Sequence, residues 1–223
     1  MFSVNVDASI RQRFPAQVTA WFGPLEISDI TTKAEAEIDS LRSHCRSAYE
    51  GISLDEVPLI RNWRDIFRAM GASPKYRSAI ENLLSHYLKT KQLYVINAIV
   101  DLYNWISLAH LTPMAVYDFA HIAGALSLRF ARKGEPFIPL GSPKQTEKTK
   151  NGEVIYADEE KVTCRYWNYR DCHATRITDE TRSVVFFADI TDVKSTPAEE
   201  TLEAIAASLS RGMGQTVIPS TAK

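Results

Sequence analysis

The stretch Ile96-Asn97-Ala98-Ile99-Val100-Asp101-Leu102-Tyr103-Asn104-Trp105-Ile106-Ser107-Leu108-Ala109-His110 carries two stripes at one period. Ile99, Leu102, Tyr103 and Ile106 recur at three- and four-residue steps, the spacing of a helix face. Asn97, Asp101 and Asn104 follow the same steps on a second face. Three hydrogen-bonding side chains in register within an apolar helix need partners. Either neighbouring loops that they brace or a bound ligand can supply them, and the stretch alone leaves both open.

Upstream of this helix the same period recurs. Ala34, Ile38, Leu41, Cys45 and Ala48 repeat until Gly51, and Ile60, Trp63, Phe67 and Met70 repeat between Pro58 and Gly71. Ser73 as N-cap and Pro74 at the first position predict a further helix with the stripe Tyr76, Ile80, Leu83, Leu84 and Tyr87. Before them, residues 2–6 and 17–22 alternate like two short strands. From Ala125 the period changes to two. Residues 126–131, 136–140, 153–157, 162–169, 173–178 and 183–190 read as strands, and the lysine-rich 141–152 segment as an exposed loop. Residues 197–211 read as a last helix before a frayed tail. Helices followed by strands, without alternating βαβ units, predict an α+β fold: N-terminal helices packed on a mixed, largely antiparallel sheet. The expected organisation is one domain over residues 1–192, then a C-terminal helix and flexible tail over 193–223.

The chain has 223 residues, 45% of them hydrophobic and 24% charged, the balance of an ordinary globular protein. A chain of this length buries about 70% of its extended surface, so a core needs no staples. The segment between Asp101 and Asp118 lacks charges but contains Asn104, Ser107, His110 and Pro113, which excludes it as a membrane span. Cys45, Cys164 and Cys172 form no C-x-x-C pair, and Met1 is followed by a strand-like segment instead of a leader, so a reducing, cytoplasmic compartment is expected. His44 and His173 adjoin two of the cysteines, but adjacent residues rarely reach one ion, and neither a metal nor another cofactor is expected.

The formal net charge of -1 excludes a strongly basic nucleic-acid binder, yet the cations are clustered. Residues 61–91 hold Arg61, Arg64, Arg68, Lys75, Arg77, Lys89 and Lys91 against Asp65 and Glu81. A second cluster, with Lys144 and Lys148 among six cations and two acids, spans residues 129–150. Such clusters are either solvated faces or surfaces able to hold phosphates. In Arg165-Tyr166-Trp167-Asn168-Tyr169-Arg170-Asp171, strand alternation would set Arg165, Trp167 and Tyr169 on one face and Tyr166, Asn168 and Arg170 on the other. That interleaving suits either a cross-strand aromatic ladder or a ring that stacks a nucleobase beside an arginine. G-x-S-x-G, H-E-x-x-H, Walker and G-x-G-x-x-G motifs are missing, and Asp118 and Asp158 read as turn caps.

The runs Val57-Pro58-Leu59-Ile60-Arg61-Asn62-Trp63-Arg64, Lys75-Tyr76-Arg77-Ser78-Ala79-Ile80-Glu81 and Asn97 to Asn104 together resemble the B3/4 tRNA-editing domain of the phenylalanyl-tRNA synthetase beta subunit, and its freestanding relatives more closely. Pro113 to Asp118, Gly134-Glu135, Glu153 to Asp158 and Cys164 to Asp171 also find counterparts, so the likeness covers about residues 57–190. It implies an α+β domain that receives the aminoacylated 3′ end of a tRNA and hydrolyses a wrongly attached amino acid, here in trans. Where the synthetase domain carries a histidine this chain has Ala115, where it carries a threonine Tyr103, and where it carries a strand glutamate Phe187. Asn104 is retained, but tyrosine-editing contacts do not carry over.

On this reading Asn104 and Asn168 hold the ester and a water, and Asp101 orients them. Asn97, Tyr117 and Trp167 complete the substrate pocket, with Arg165 or Arg170 on the terminal phosphate or ribose. Arg61, Arg64, Lys75, Arg77, Lys144 and Lys148 are the expected RNA-binding cations. A non-catalytic module for aminoacyl-tRNA or a free amino acid, and a small-molecule enzyme on the same fold, are the alternatives.

Overall fold

The computed structural model describes residues 2–27, 31–192 and 197–222. In chain order the elements are β1 (Val4–Val6), α1 (Ala8–Arg13), β2 (Gln17–Glu26), α2 (Thr31–Ala48), α3 (Pro58–Ala69), α4 (Ala79–Thr90) and α5 (Ala98–Ala109). There follow β3 (Met114–Asp118), β4 (Leu126–Phe130), β5 (Pro136–Phe137), β6 (Glu147–Lys148), β7 (Val154–Ala157), β8 (Val162–Arg165), β9 (Arg170–Asp171), β10 (Ser183–Thr191), α6 (Ala198–Met213) and β11 (Pro219–Thr221). The class is α+β, as the order of patterns predicts. No helix among the described residues is long and apolar enough to cross a membrane.

The strands divide between two principal sheets, β1-β4-β7-β8-β9 and β11-β2-β10-β3, with β5 and β6 paired apart. Only the β1–β4 pair is parallel among the described strands. β10 runs through the second sheet between β2 and β3, and Val184, Val185 and Phe186 are fully buried there. A central strand covered on both faces reads as a near-continuous apolar run, which makes Asp189, inside it and only 5% exposed, the costly residue.

Several helix ends follow ordinary capping chemistry. Pro58 occupies the start of α3, where its missing N–H costs nothing, and the Asn97 side chain caps α5 by accepting from Val100 N. The predicted start of α4 at Ser73-Pro74 is corrected: Ser78 caps the helix, accepting from Glu81 N. Residues 73–76 instead close a turn, Tyr76 N to Ser73 O at 2.8 Å, and the Tyr76 ring stacks on Tyr166. Aromatic contact from a distant hairpin thus overrides a favourable local start signal. Ile80, Leu84 and Tyr87 keep their buried stripe.

Three further expectations are corrected. The 162–169 strand ends at Arg165, because Tyr166 and Trp167 adopt positive φ, 46° and 67°, and turn the chain. Residues 173–178 form no strand: 173–175 bend and turn and 176–178 are irregular, with Cys172 making an isolated bridge to Pro139. The C-terminal tail is not loose throughout: β11 pairs with β2, and α6 buries Leu202, Ile205, Leu209 and Met213 in the common core. Gly212 lets α6 approach α5, since a Cβ there would lie 2.5 Å from a Leu102 methyl. The expected boundary after residue 192 adjoins residues 193–196, which lie outside the described residues.

Candidate functional site

Asp171 is where three hollows meet. One of about 50 Å³ is lined by Tyr117, Tyr156, Asn168, Phe187 and Asp189. A second of about 190 Å³ and a third of about 220 Å³ share Tyr103 and Asn104, and all three share Asp171. Strands of both principal sheets and one helix supply the groups, Tyr156 among them from β7. Ala115 and Tyr117 project from β3 and Phe187 and Asp189 from β10, with Phe187 opposite Ala115 in register. β9 brings Asp171 opposite Cys164, and α5 contributes Tyr103 and Asn104.

The β8–β9 turn positions Asn168. Trp167 N donates to Val154 O at 2.7 Å, and Ala79 N, at the start of α4, donates to Asn168 O at 2.9 Å. Two successive aromatic residues in the left-handed region carry roughly 1–3 kcal/mol of strain each, which the surrounding packing holds in place. Trp167 is wedged edge-on against Phe14 and Trp63.

Both carboxylates are more basic than an ordinary aspartate. Burial pushes the Asp171 pKa up, while hydrogen bonds from Tyr117 and Cys164 pull it part of the way back. The Tyr117 hydroxyl donates to Asp171 Oδ1 at 2.9 Å. Burial pushes Asp189 up to about 6 against the pull of its donors. Its Oδ1 accepts from Tyr156 at 2.5 Å and Thr19 at 3.4 Å, and its Oδ2 accepts from Asn168 Nδ2 at 3.3 Å. Burial also raises the Tyr117 and Tyr156 phenols, and the carboxylates raise them further, so both stay protonated donors at neutral pH. Asn168 Oδ1 is buried without a protein partner among the described residues, an acceptor the protein leaves unsatisfied.

Of the residues singled out in the sequence, Asn104, Asn168, Tyr117 and Trp167 come together here. Asn97 and Asp101 do not. Asn97 is occupied as a cap, and Asp101 Oδ1 accepts from Ile96 N at 2.9 Å, so two members of the polar stripe brace the start of α5. Arg165, expected on phosphate, is 5% exposed and donates to Glu153 at 2.7 and 2.8 Å and to Glu147 at 2.6 Å, so its fork is occupied. Its partners explain the burial, since a buried guanidinium persists only when paired. Arg170 is half-buried, 3.4 Å from Glu147 and 3.3 Å from Leu140 O. The nucleobase-stacking face expected of Trp167 is closed by Phe14 and Trp63.

The expected RNA-binding cations lie outside the cleft. Arg64, paired with Asp55 and Glu81, and Arg77, 3.7 Å from Glu81, line a hollow of about 260 Å³ with Arg68. Lys75 sits over the Tyr76 ring, and Arg61, Lys144 and Lys148 are exposed. The Tyr76 ring also meets Tyr169, a residue of the small hollow, edge-on at 4.8 Å, so one aromatic wall separates this basic rim from the cleft. A larger hollow of about 630 Å³ sets Arg42, Arg46 and Lys91 against Glu35, Asp39 and Asp101, which leaves no net field for an anion. Asp171 and Asp189 were not expected as site residues. The signal for Asp189 was its place two residues beyond Phe187 on one face of an apolar strand, and for Asp171 its position after the aromatic run.

The B3/4 domain profile matches residues 62–212. The phenylalanine–tRNA ligase beta subunit of Fusobacterium nucleatum subsp. nucleatum is 26% identical over 140 residues, 61% of this chain and 14% of that subunit. The same subunit of Brucella abortus (strain 2308) is 34% identical over 89 residues, 40% of this chain and 10% of the subunit. This chain therefore spans 14% or less of the length of these curated relatives. A crystal structure of an N-terminal fragment of the phenylalanyl-tRNA synthetase beta subunit from Pyrococcus horikoshii aligns with all of this chain and 54% of its own, at 15% identity and a TM-score of 0.49. On this match, which runs from within α3 into the last turn of α6 and takes in every wall of the cleft, the chain belongs to the B3/4 domain family.

Proposed function

We propose that the cleft around Asp171 receives the aminoacylated 3′ end of a tRNA and hydrolyses the ester of a wrongly attached amino acid, in trans and in the cytoplasm. The observation that carries this reading is a pair of carboxylates made more basic by burial and an unpartnered amide acceptor around a cavity of water size. About 50 Å³ holds a few waters, at about 10–15 Å³ each, and no amino acid. The ester belongs in the two larger lobes, where Asn104 stands beside Asp171.

A water hydrogen-bonded to Asn168 Oδ1 gives its proton to Asp171 as its oxygen attacks the ester carbonyl carbon. Asn104 Nδ2 donates to the carbonyl oxygen as that oxygen becomes negative. Collapse of the tetrahedral adduct breaks the bond to the ribose oxygen, which takes the proton from Asp171. Asp189 holds Asn168 in orientation and is a positioning residue. Asp171, as the proton acceptor, is the site carboxylate in place of Asp101, because Asp101 is engaged at the start of α5. An aminoacyl ester is intrinsically labile, so a thousandfold acceleration, about 4 kcal/mol, suffices, and one placed donor supplies about 3–4 kcal/mol. Arg61, Arg64, Lys75, Arg77, Lys144 and Lys148 suit backbone phosphates, and Arg170 the terminal nucleotide.

The test is release of amino acid from a panel of correctly and wrongly charged tRNAs. Selective release that falls about 10²–10³-fold in both Asp171→Asn and Asn104→Ala is the expected result. Release unchanged in both variants would refute the assignment. Recognition without turnover is the second reading, favoured by Ala115 and Phe187, which line the small cavity without a proton-transferring group. Tight binding of charged tRNA with no release would establish it.

A further inference from the structure

The two larger lobes that meet at Asn104 and Asp171 differ in chemistry. The lobe of about 220 Å³ runs past His86 and Tyr94, whose rings stack at 4.2 Å and 21°, with Tyr94 69% exposed, and it also carries Asn82 and Asn104. An exposed ring face with polar neighbours suits a nucleobase. The lobe of about 190 Å³ is walled by Ile96, Val100, Val116, Leu140 and Ile177. Of the polar groups peculiar to this lobe, Thr175 Oγ1 lies 3.3 Å from Cys172 Sγ, and the exposed Arg176 donates one guanidinium nitrogen to His173 O at 2.9 Å. Ile96 and Leu140 are exposed large aliphatics, 62% and 44%, at this hollow.

Resting on the deacylation reading, we infer that this lobe takes the side chain of the amino acid to be removed and that this side chain is aliphatic. The terminal adenine occupies the His86–Tyr94 lobe. An aliphatic side chain gains contact along the whole wall, whereas a substrate hydroxyl or carboxylate exchanges water for a mainly aliphatic lining, with Tyr103 and the solvent-exposed Arg176 as its polar exceptions. A pocket of this kind separates side chains differing by one methylene only about 10–200-fold, so the inference fixes the class and not the single amino acid.

The experiment titrates the full chain with non-hydrolysable 3′-aminoacylamino-adenosines carrying isoleucyl, tyrosyl, seryl or glutamyl groups. The isoleucyl compound should bind at least about tenfold more tightly than the other three. Ile177→Phe, which fills the lobe, should remove that advantage while leaving thermal unfolding in place. Leu140→Ser, at a half-exposed position that folding tolerates, should reduce it. Equal or tighter binding of the tyrosyl, seryl or glutamyl compound overturns the inference. So does an isoleucyl preference that survives both variants. Binding of none also overturns it, and release from intact charged tRNA then decides the broader reading separately.

Discussion

Replacing Asp189 by asparagine removes a charge that the fold holds at a cost. The side chain is 5% exposed, and its pKa is raised from 3.8 to about 6, mainly by desolvation. Native Asp189 therefore binds a proton between those values while the unfolded chain does not, so this group adds stability as pH falls and takes it away as pH rises through about 6. Linkage gives a wild-type gain of about 2 kcal/mol at about pH 4.5 relative to about pH 8. The asparagine keeps a carbonyl for Tyr156 and Thr19, but its amide faces the Asn168 amide and gives up one hydrogen bond, about 1 kcal/mol at either pH. Urea unfolding of both proteins at the two pH values measures the difference directly. The variant's stability relative to wild type should be about 2 kcal/mol more favourable at the higher pH. A mutational effect equal at both values would show that Asp189 titrates normally, and would remove the electrostatic basis for its role in holding Asn168.

The remaining predictions concern how the walls of the cleft are supported. Arg165→Met leaves Glu153, 2% exposed, without its ion-pair partner and should cost about 3–5 kcal/mol in chemical denaturation, most of it recovered in the double variant with Glu153→Leu. A loss that the double variant fails to recover would mean that the pair also braces the β8–β9 turn. Gly212→Ala forces a Cβ against Leu102 of α5 and should destabilise by about 1–3 kcal/mol, read as a lowered unfolding midpoint; an unchanged midpoint would show that the α5–α6 contact relaxes freely.

What the sequence determined by itself was local or periodic. The order of helices and strands fixed the α+β class, and the apolar stripe of Ile99, Leu102 and Ile106 fixed the inner face of α5. The turn-capping parts of Asp118 and Asp158 followed from their residue type, and each accepts from backbone N–H groups of its own turn. The ordered runs from Val57 to Asp171 carried the family resemblance. Asn104 and Asn168 were legible as polar groups in awkward places.

Tertiary structure decided the rest. Asn97 and Asp101 share the helical stripe of Asn104, yet they lie in the first turn, where unpaired backbone N–H groups claim them, while Asn104 sits a turn later beside Asp171. Periodicity fixes a face and says nothing of what stands opposite. Arg165 looked like a phosphate ligand until Glu147 and Glu153, 18 and 12 residues away, closed on it. The alternation of residues 162–169 failed because Tyr166 and Trp167 turn through the left-handed region, a conformation no local propensity favours for aromatic residues and one that packing against Phe14, Trp63 and Tyr76 holds. Asp171 and Asp189, 18 residues apart on different sheets, become one site only when β9 and β10 fold around a common cavity. Their raised pKa values come from that shared desolvation, a property of the assembled cleft that neither residue carries alone.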